Sequence, residues 1–182
     1  MIRLYALVAT AAFLGFAITS MGFAQQGGQQ PPPARGLDTA LAVEAAQTAV
    51  NTCLDSGVKG SAAVVDSAGV MRVLISANGS SKNSAELSPK KAVLANDMKK
   101  PTSEIFSQMD KDPALKAKLE ADKNIFPRPG AVPIMAGNDV IGAIGFGGAN
   151  GAQGGGARDE ACAKAGLEKV RASLDFHGSE SP

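Results

Sequence analysis

Apolar residues recur every three to four positions near both ends of the chain, and between these stretches they form short runs bounded by turn residues. The first periodic stretch predicts an amphipathic helix from Asp38 to about Ser56, with alanines on its apolar face that permit close packing. The last one predicts a helix that begins at Arg158 or Asp159 and carries an apolar face as far as Leu174. Both helices are expected to pack on a flat surface.

Two pairs of short apolar runs predict β-hairpins. The first pair covers 61–66 and 70–76 around a Ser-Ala-Gly turn, and the second covers 131–136 and 140–146 around Gly-Asn-Asp. Four or five strands in two hairpins favour an antiparallel sheet, with helices from both chain ends covering one face. The predicted class is α+β, in one domain over about residues 36–176.

Between the hairpins, the sequence predicts a polar loop over 77–83 and then three helices. Ser88 followed by Pro89 is typical of a helix start, so the first of these helices is expected to begin there. Thr102 can cap the second helix, and an Asp-Pro pair begins the third.

The first 24 residues have the three-part pattern of a secretory signal peptide. A positive start precedes an uncharged apolar stretch from Leu4 to Ile18, and small residues stand just before Gln25. An uncleaved membrane anchor is the alternative, but the apolar stretch is marginal for a hydrocarbon core of about 30 Å. We therefore expect a periplasmic or secreted protein with no stable membrane anchor after cleavage. Residues 25–35 are expected to form a flexible linker rich in Pro, Gly and Gln, and residues 177–182 a C-terminal tail.

The composition excludes several classes of protein. Lys and Arg number 18 against 17 Asp and Glu, and aromatic residues make up only 4% of the 182 residues, with no Trp. A chain with neither a basic excess nor stacking aromatics is not expected to bind nucleic acid. One His and two Cys are too few for a zinc finger or for an iron–sulfur site held by four cysteines.

The two cysteines, Cys53 and Cys162, are candidates for one disulfide if the chain is exported to an oxidising compartment. Two buried free thiols are the alternative. If joined, the cysteines close a loop of about 110 residues, which the chain-entropy model values at about 4 to 5 kcal/mol. The single histidine, His177, lies in the polar C-terminal tail, which argues against hydrolases that need a histidine inside a cleft.

Three stretches of the sequence form a recognisable series. They are Ala-Val-Val-Asp-Ser-Ala-Gly within 57–69, Lys-Lys-Ala and Pro-Thr-Ser-Glu within 90–104, and Gly-Ala-Ile-Gly with Asp-Glu-Ala-Cys-Ala within 133–163. Their order and spacing, over about residues 40–172, resemble the GlcG/HbpS haem-binding family, also called haem-degrading-domain proteins. The resemblance implies a profilin-like α+β fold, with an antiparallel sheet of about five strands and the N- and C-terminal helices packed on it. It also implies homo-oligomers and binding of haem or a related tetrapyrrole.

The resemblance further implies a haem contact through the hydroxyl of Thr102, in the Pro-Thr motif, although a plain helix cap is the alternative role. The two haem propionates require cations, for which Lys91, Lys100 and Arg128 are the candidates. Paired lysines are, however, also typical of a solvated helix face.

Strong iron ligands are scarce once the signal peptide is removed. The remaining chain has no Tyr, and its methionines are Met71, Met98, Met109 and Met135. We therefore expect modest haem affinity, or binding within an assembly, rather than a site like that of a cytochrome.

Three functions are compatible with these features. The favoured one is an oligomeric haem or tetrapyrrole carrier, buffer or sensor. The alternatives are a profilin-like structural or interaction module without a small ligand, and a haem-degrading oxygenase. The sequence shows no activating base beside an iron ligand, which favours binding over catalysis.

Overall fold

The computed structural model describes residues 33–149 and 155–177. The predicted signal peptide, most of the predicted linker and residues 178–182 of the predicted tail lie outside this part of the chain. The elements are, in order, α1 (Thr39–Asp55), β1 (Ser61–Asp66), β2 (Met71–Ser76), α2 (Lys82–Met98), α3 (Thr102–Met109), α4 (Pro113–Ala121), β3 (Ala131–Ala136), β4 (Asp139–Gly147) and α5 (Gly155–His177). None of the helices described is long and apolar enough to cross a membrane.

The sheet consists of the two predicted hairpins joined side by side. The strand order is β2-β1-β4-β3, and all neighbours are antiparallel, with Val64 of β1 opposite Ile144 of β4. The described chain therefore has four strands, and the expectation of about five is wrong. The physical reason is that residues 82–121, between the hairpins, fold into three helices instead of contributing a strand.

Helices cover both faces of the sheet. On one face, α1 and α5 pack together over apolar side chains of the central strands, including Val64, Ile144 and Phe146. On the other face, α2 lies against the two central strands and β3. A Cβ atom on Gly145 would come within 2.9 Å of the Ala92 backbone nitrogen, so a glycine lets α2 lie directly on β4. Helices at the chain ends thus cover one face, as predicted, whereas the cover of the second face by α2 was not predicted.

Two helix starts differ from the predictions. Helix α2 begins at Lys82 and not at Ser88. The Ser81 hydroxyl accepts the Ser84 N–H at 3.2 Å and so caps the helix within the predicted loop. Pro89 lies in the interior of this helix. Helix α5 begins at Gly155 and extends to His177, so the residue predicted to begin the tail is the last residue of a helix.

A disulfide joins the two terminal helices. Cys53 of α1 and Cys162 of α5 form the bond, with their Cα atoms 5.6 Å apart, and both residues are buried in the core between these helices and the sheet. The bond lies on the face of the sheet opposite α2.

Candidate functional site

A cavity of about 670 Å³ lies beside α2, which we call the α2 cavity. Volumes of this size are typical of sites for small organic ligands. Its walls come from the N-terminal half of α2, the α3 helix, the loop before β3, and the segments that follow β4 and begin α5. The lining residues are Ser81, Asn83, Ser84, Leu87, Lys91, Phe106, Phe126, Arg128, Pro129, Gly147, Gly148, Ala149, Gly156, Ala157 and Asp159.

Two phenylalanine rings line the α2 cavity. The structure describes the side chains of three aromatic residues, and one of them, Phe146, is fully buried in the core. The other two, Phe106 and Phe126, are half-buried, and both lie in this cavity. The partly exposed aromatic surface of the described chain is therefore concentrated at one place.

The floor of the α2 cavity is a buried ion pair. The Lys91 ammonium lies 2.7 Å from Asp159 Oδ2 and also donates to the Phe146 carbonyl oxygen at 3.1 Å. Asp159 Oδ1 accepts the Ala149 N–H at 2.9 Å, so the same carboxylate holds the segment that follows β4. Burial raises the pKa of Asp159, while the charge and hydrogen bond of Lys91 act in the opposite direction. The charge of Lys91 is thus already neutralised within the protein.

Glu160, the next residue on α5, connects that helix to α3. Its carboxylate accepts the Ser103 N–H at 2.9 Å and the Ser103 hydroxyl at 2.8 Å, and it pairs with Lys164 at 2.9 Å. Asp159 was predicted only as a possible first residue of the last helix, and Glu160 only as part of a family motif, so neither was predicted as a site residue. The sequence feature that could have identified them as site residues is a pair of adjacent acids at the start of a helix that is otherwise rich in small residues.

Arg128 is the accessible cation of the α2 cavity. Its side chain is 45% exposed, and its guanidinium lies 5.3 Å from the centre of the Phe106 ring. It also lies 3.6 Å from a carboxylate oxygen of Glu120, which is itself partly exposed. A pair so open to solvent is weak, so Arg128 can exchange this partner for the carboxylate of a ligand.

Thr102 and Lys100 lie outside the α2 cavity. Thr102 is only 1% exposed, and its hydroxyl accepts the Ala131 N–H at 2.9 Å and donates to the Ala131 carbonyl at 3.3 Å. It does not cap α3, whose N-cap position is Pro101. Lys100 is exposed in the turn before α3. The structure therefore brings together Lys91 and Arg128 of the four predicted residues, and a haem contact through Thr102 stays a prediction.

Replacing Thr102 with Val should lower the free energy of unfolding by about 1 to 3 kcal/mol, because it leaves the Ala131 N–H buried without an acceptor. T102S keeps the hydroxyl and is the matched control, which should be less destabilised than T102V. Urea unfolding of the three proteins measures this. Equal stability of T102V and the wild type would show that the bond to β3 contributes nothing.

A second cavity, of about 770 Å³, lies between β3 and α5, and we call it the β3–α5 cavity. Met135 lines it and is 41% exposed. Its cations, Lys164 and Arg171, each pair with a glutamate on the same helix, Arg171 with Glu168 at 2.6 Å. Its lining contains no aromatic ring. Within the described ranges, no group of three or more His, Cys, Asp or Glu side chains is arranged to hold a metal ion.

Comparison with known proteins identifies the family of this chain and several solved structures with a similar fold. The family model described as "Haem degrading protein HbpS-like" matches residues 37–168. The crystal structure of HbpS is 29% identical, with a TM-score of 0.68, over 79% of this chain and 96% of that one. A double mutant of Streptomyces reticuli HbpS is 26% identical, with a TM-score of 0.67, over 91% and 99%. The PduOC–haem complex, 22% identical with a TM-score of 0.64 over 73% and 94%, shares the fold. The search of curated proteins found no match.

Proposed function

Because the chain belongs to the HbpS-like family of haem-degrading proteins, we propose that it binds haem or a related tetrapyrrole in the α2 cavity. One observation carries this location: both half-buried aromatic rings of the described chain, Phe106 and Phe126, lie in this cavity beside the accessible guanidinium of Arg128. An apolar slot with a cation at its edge matches an apolar macrocycle that carries carboxylates. The fold shared with the PduOC–haem complex supports the same class of ligand.

Different residues would serve the two parts of the ligand. Phe106 and Phe126 would contact the faces of the macrocycle, and Gly147 and Gly148 offer backbone without side chains along the same wall. Arg128 would bind a propionate through a charge-assisted hydrogen bond. Lys91, predicted as a second propionate partner, instead neutralises Asp159 and holds the cavity floor.

What happens to haem after it binds distinguishes a binding protein from an enzyme. Haem supplies a redox-active iron when bound, so a carrier, buffer or sensor and a haem-degrading enzyme would begin from the same complex. The description of the family favours degradation as the second candidate. The only carboxylate on the described wall, Asp159, is buried and paired with Lys91, which favours binding over acid–base catalysis. Haem loss with product formation under a reductant would favour the enzyme.

Export and self-association form part of the same proposal. A buried disulfide between α1 and α5 suits a periplasmic or secreted protein, because such bonds persist in oxidising compartments. The edge strand β2 and the turn before it expose three large apolar side chains, Val70, Met71 and Leu74, which is typical of an oligomer interface. Light scattering of the chain without residues 1–24 tests the second point.

Titration of the purified protein with hemin tests the function. We expect a Soret shift that saturates at a fixed ratio of hemin to chain, and R128Q should weaken binding by about tenfold through loss of the propionate partner. K100Q is the matched control, because it removes one positive charge at an exposed position outside the cavity and should leave the affinity unchanged. A titration that does not saturate contradicts the proposal and favours the structural module.

A further inference from the structure

The α2 cavity offers iron no strong protein ligand, although His, Cys, Tyr and Met usually hold haem iron. The only Tyr of the sequence is Tyr5, within the predicted signal peptide. Both cysteines are joined to each other in the disulfide on the opposite face of the sheet. Among the residues that the structure describes, neither residue type is therefore available to the cavity.

The single histidine is remote from the cavity within one subunit. Asp159, near the start of α5, lines the cavity, whereas His177 is the last residue of the same helix. At a rise of about 1.5 Å per residue, the helix places these two positions roughly 27 Å apart. The backbone position of His177 is therefore distant from the α2 cavity of its own chain.

The four methionines that the structure describes also lie elsewhere. Met109 is buried in the small core between α2, α3 and α4, and Met98 packs against that core. Met71 is exposed on the edge strand β2, and Met135 lines the β3–α5 cavity. None of these four side chains lines the α2 cavity.

The buried polar side chains of the described wall already have partners. Ser84 donates its hydroxyl to the Ser81 carbonyl at 2.6 Å and lies 2.9 Å from the Ser61 hydroxyl. Asp159 is held by Lys91 and by the Ala149 N–H. These groups complete the protein's own hydrogen bonds.

We propose that the α2 cavity recognises tetrapyrroles through the macrocycle and its carboxylates and not through the metal. This inference rests on the proposed function and narrows its ligand class: metal-free porphyrins that carry carboxylates bind as tightly as haem. The aromatic walls and Arg128 contact parts of the ligand that are the same with or without iron. An iron-dependent site would need a donor that this cavity does not supply.

Parallel titrations with hemin and with metal-free protoporphyrin IX test the inference, followed by Soret absorption and by porphyrin fluorescence. We expect dissociation constants within about threefold of each other, and R128Q should weaken both by a similar factor. The dimethyl ester of protoporphyrin IX has the same ring without carboxylate charge, and it should bind at least about tenfold more weakly.

The outcomes separate the inference from the function. Hemin binding more than about threefold tighter than protoporphyrin IX binding overturns the inference and leaves haem binding intact. If M135A then removes that advantage, the iron is bound in the β3–α5 cavity. Failure of both ligands to saturate overturns the proposed function together with the inference.

Discussion

Replacing Lys91 with Met should lower the free energy of unfolding by about 3 to 5 kcal/mol at neutral pH, because it leaves the Asp159 carboxylate buried without its counter-charge. Both side chains of this pair are at most 5% exposed, so water cannot take the place of the missing ammonium. Urea unfolding followed by circular dichroism measures the loss. The variant should also bind hemin more weakly, because the pair forms the cavity floor.

Two further variants make this result specific. K90M removes the neighbouring lysine, whose ammonium meets only the Lys123 carbonyl at the surface, and should change stability by less than about 0.5 kcal/mol. The double variant K91M/D159N leaves no unpaired buried charge at this position and should be more stable than K91M. An equal loss in K90M and K91M would show that the ion pair has no special role.

The pH dependence of K91M provides an independent check. Burial already raises the pKa of Asp159, and removal of Lys91 takes away the main influence that lowers it. With a folded-state pKa above the unfolded one, the carboxyl favours folding most at pH values below the unfolded pKa. This contribution is lost as the pH rises through the folded pKa. The deficit of K91M relative to the wild type should therefore be smaller in acid than at pH 7.

Removing the disulfide with C53A/C162A should lower the free energy of unfolding by about 4 to 5 kcal/mol, because the bond closes a loop with a sequence separation of 109. An open chain has more unfolded conformations than one tied between α1 and α5. Urea unfolding with and without a thiol reductant measures the effect, and the reduced wild type should approach the stability of the variant.

Hemin binding by C53A/C162A is the control for this prediction. Under conditions where the variant is folded, it should bind hemin as the wild type does, because the bond lies on the face of the sheet away from the α2 cavity. A wild type whose stability does not respond to the reductant, with Cys53 and Cys162 shown to be free, would contradict the prediction.

The hairpins and terminal helices were predictable because local patterns specify them. Short apolar runs around Gly-containing turns predicted both hairpins, and the helical period of small apolar residues predicted α1 and α5. The start of α2 was missed because Ser88 and Pro89 resemble a helix start, whereas the capping bond forms at Ser81. Strand β1 is buried at every residue, and its sequence is a nearly continuous run of small and apolar residues. Such a run is typical of a strand in a sheet that is covered on both faces.

The candidate site was predictable in its residue types and only partly in its geometry. Lys91 and Arg128 were predicted and line the α2 cavity, whereas Thr102 and Lys100 do not. By residue type alone, all four residues suited the roles predicted for them. Which of them line the cavity depends on contacts with residues that are distant in the sequence, such as the bond of Thr102 to the Ala131 backbone, 29 residues later.

By itself, the sequence determined the α+β class, the resemblance to the family and the scarcity of iron donors, because these depend on local period, motif order and the residue types present. Only the tertiary structure decided which charges are buried in ion pairs and which stay accessible to a ligand. Lys91 meets Asp159 across 68 residues and is neutralised, while Arg128 stays accessible beside Phe106. No local pattern connects residues so far apart, since packing of helices on the sheet brings them together.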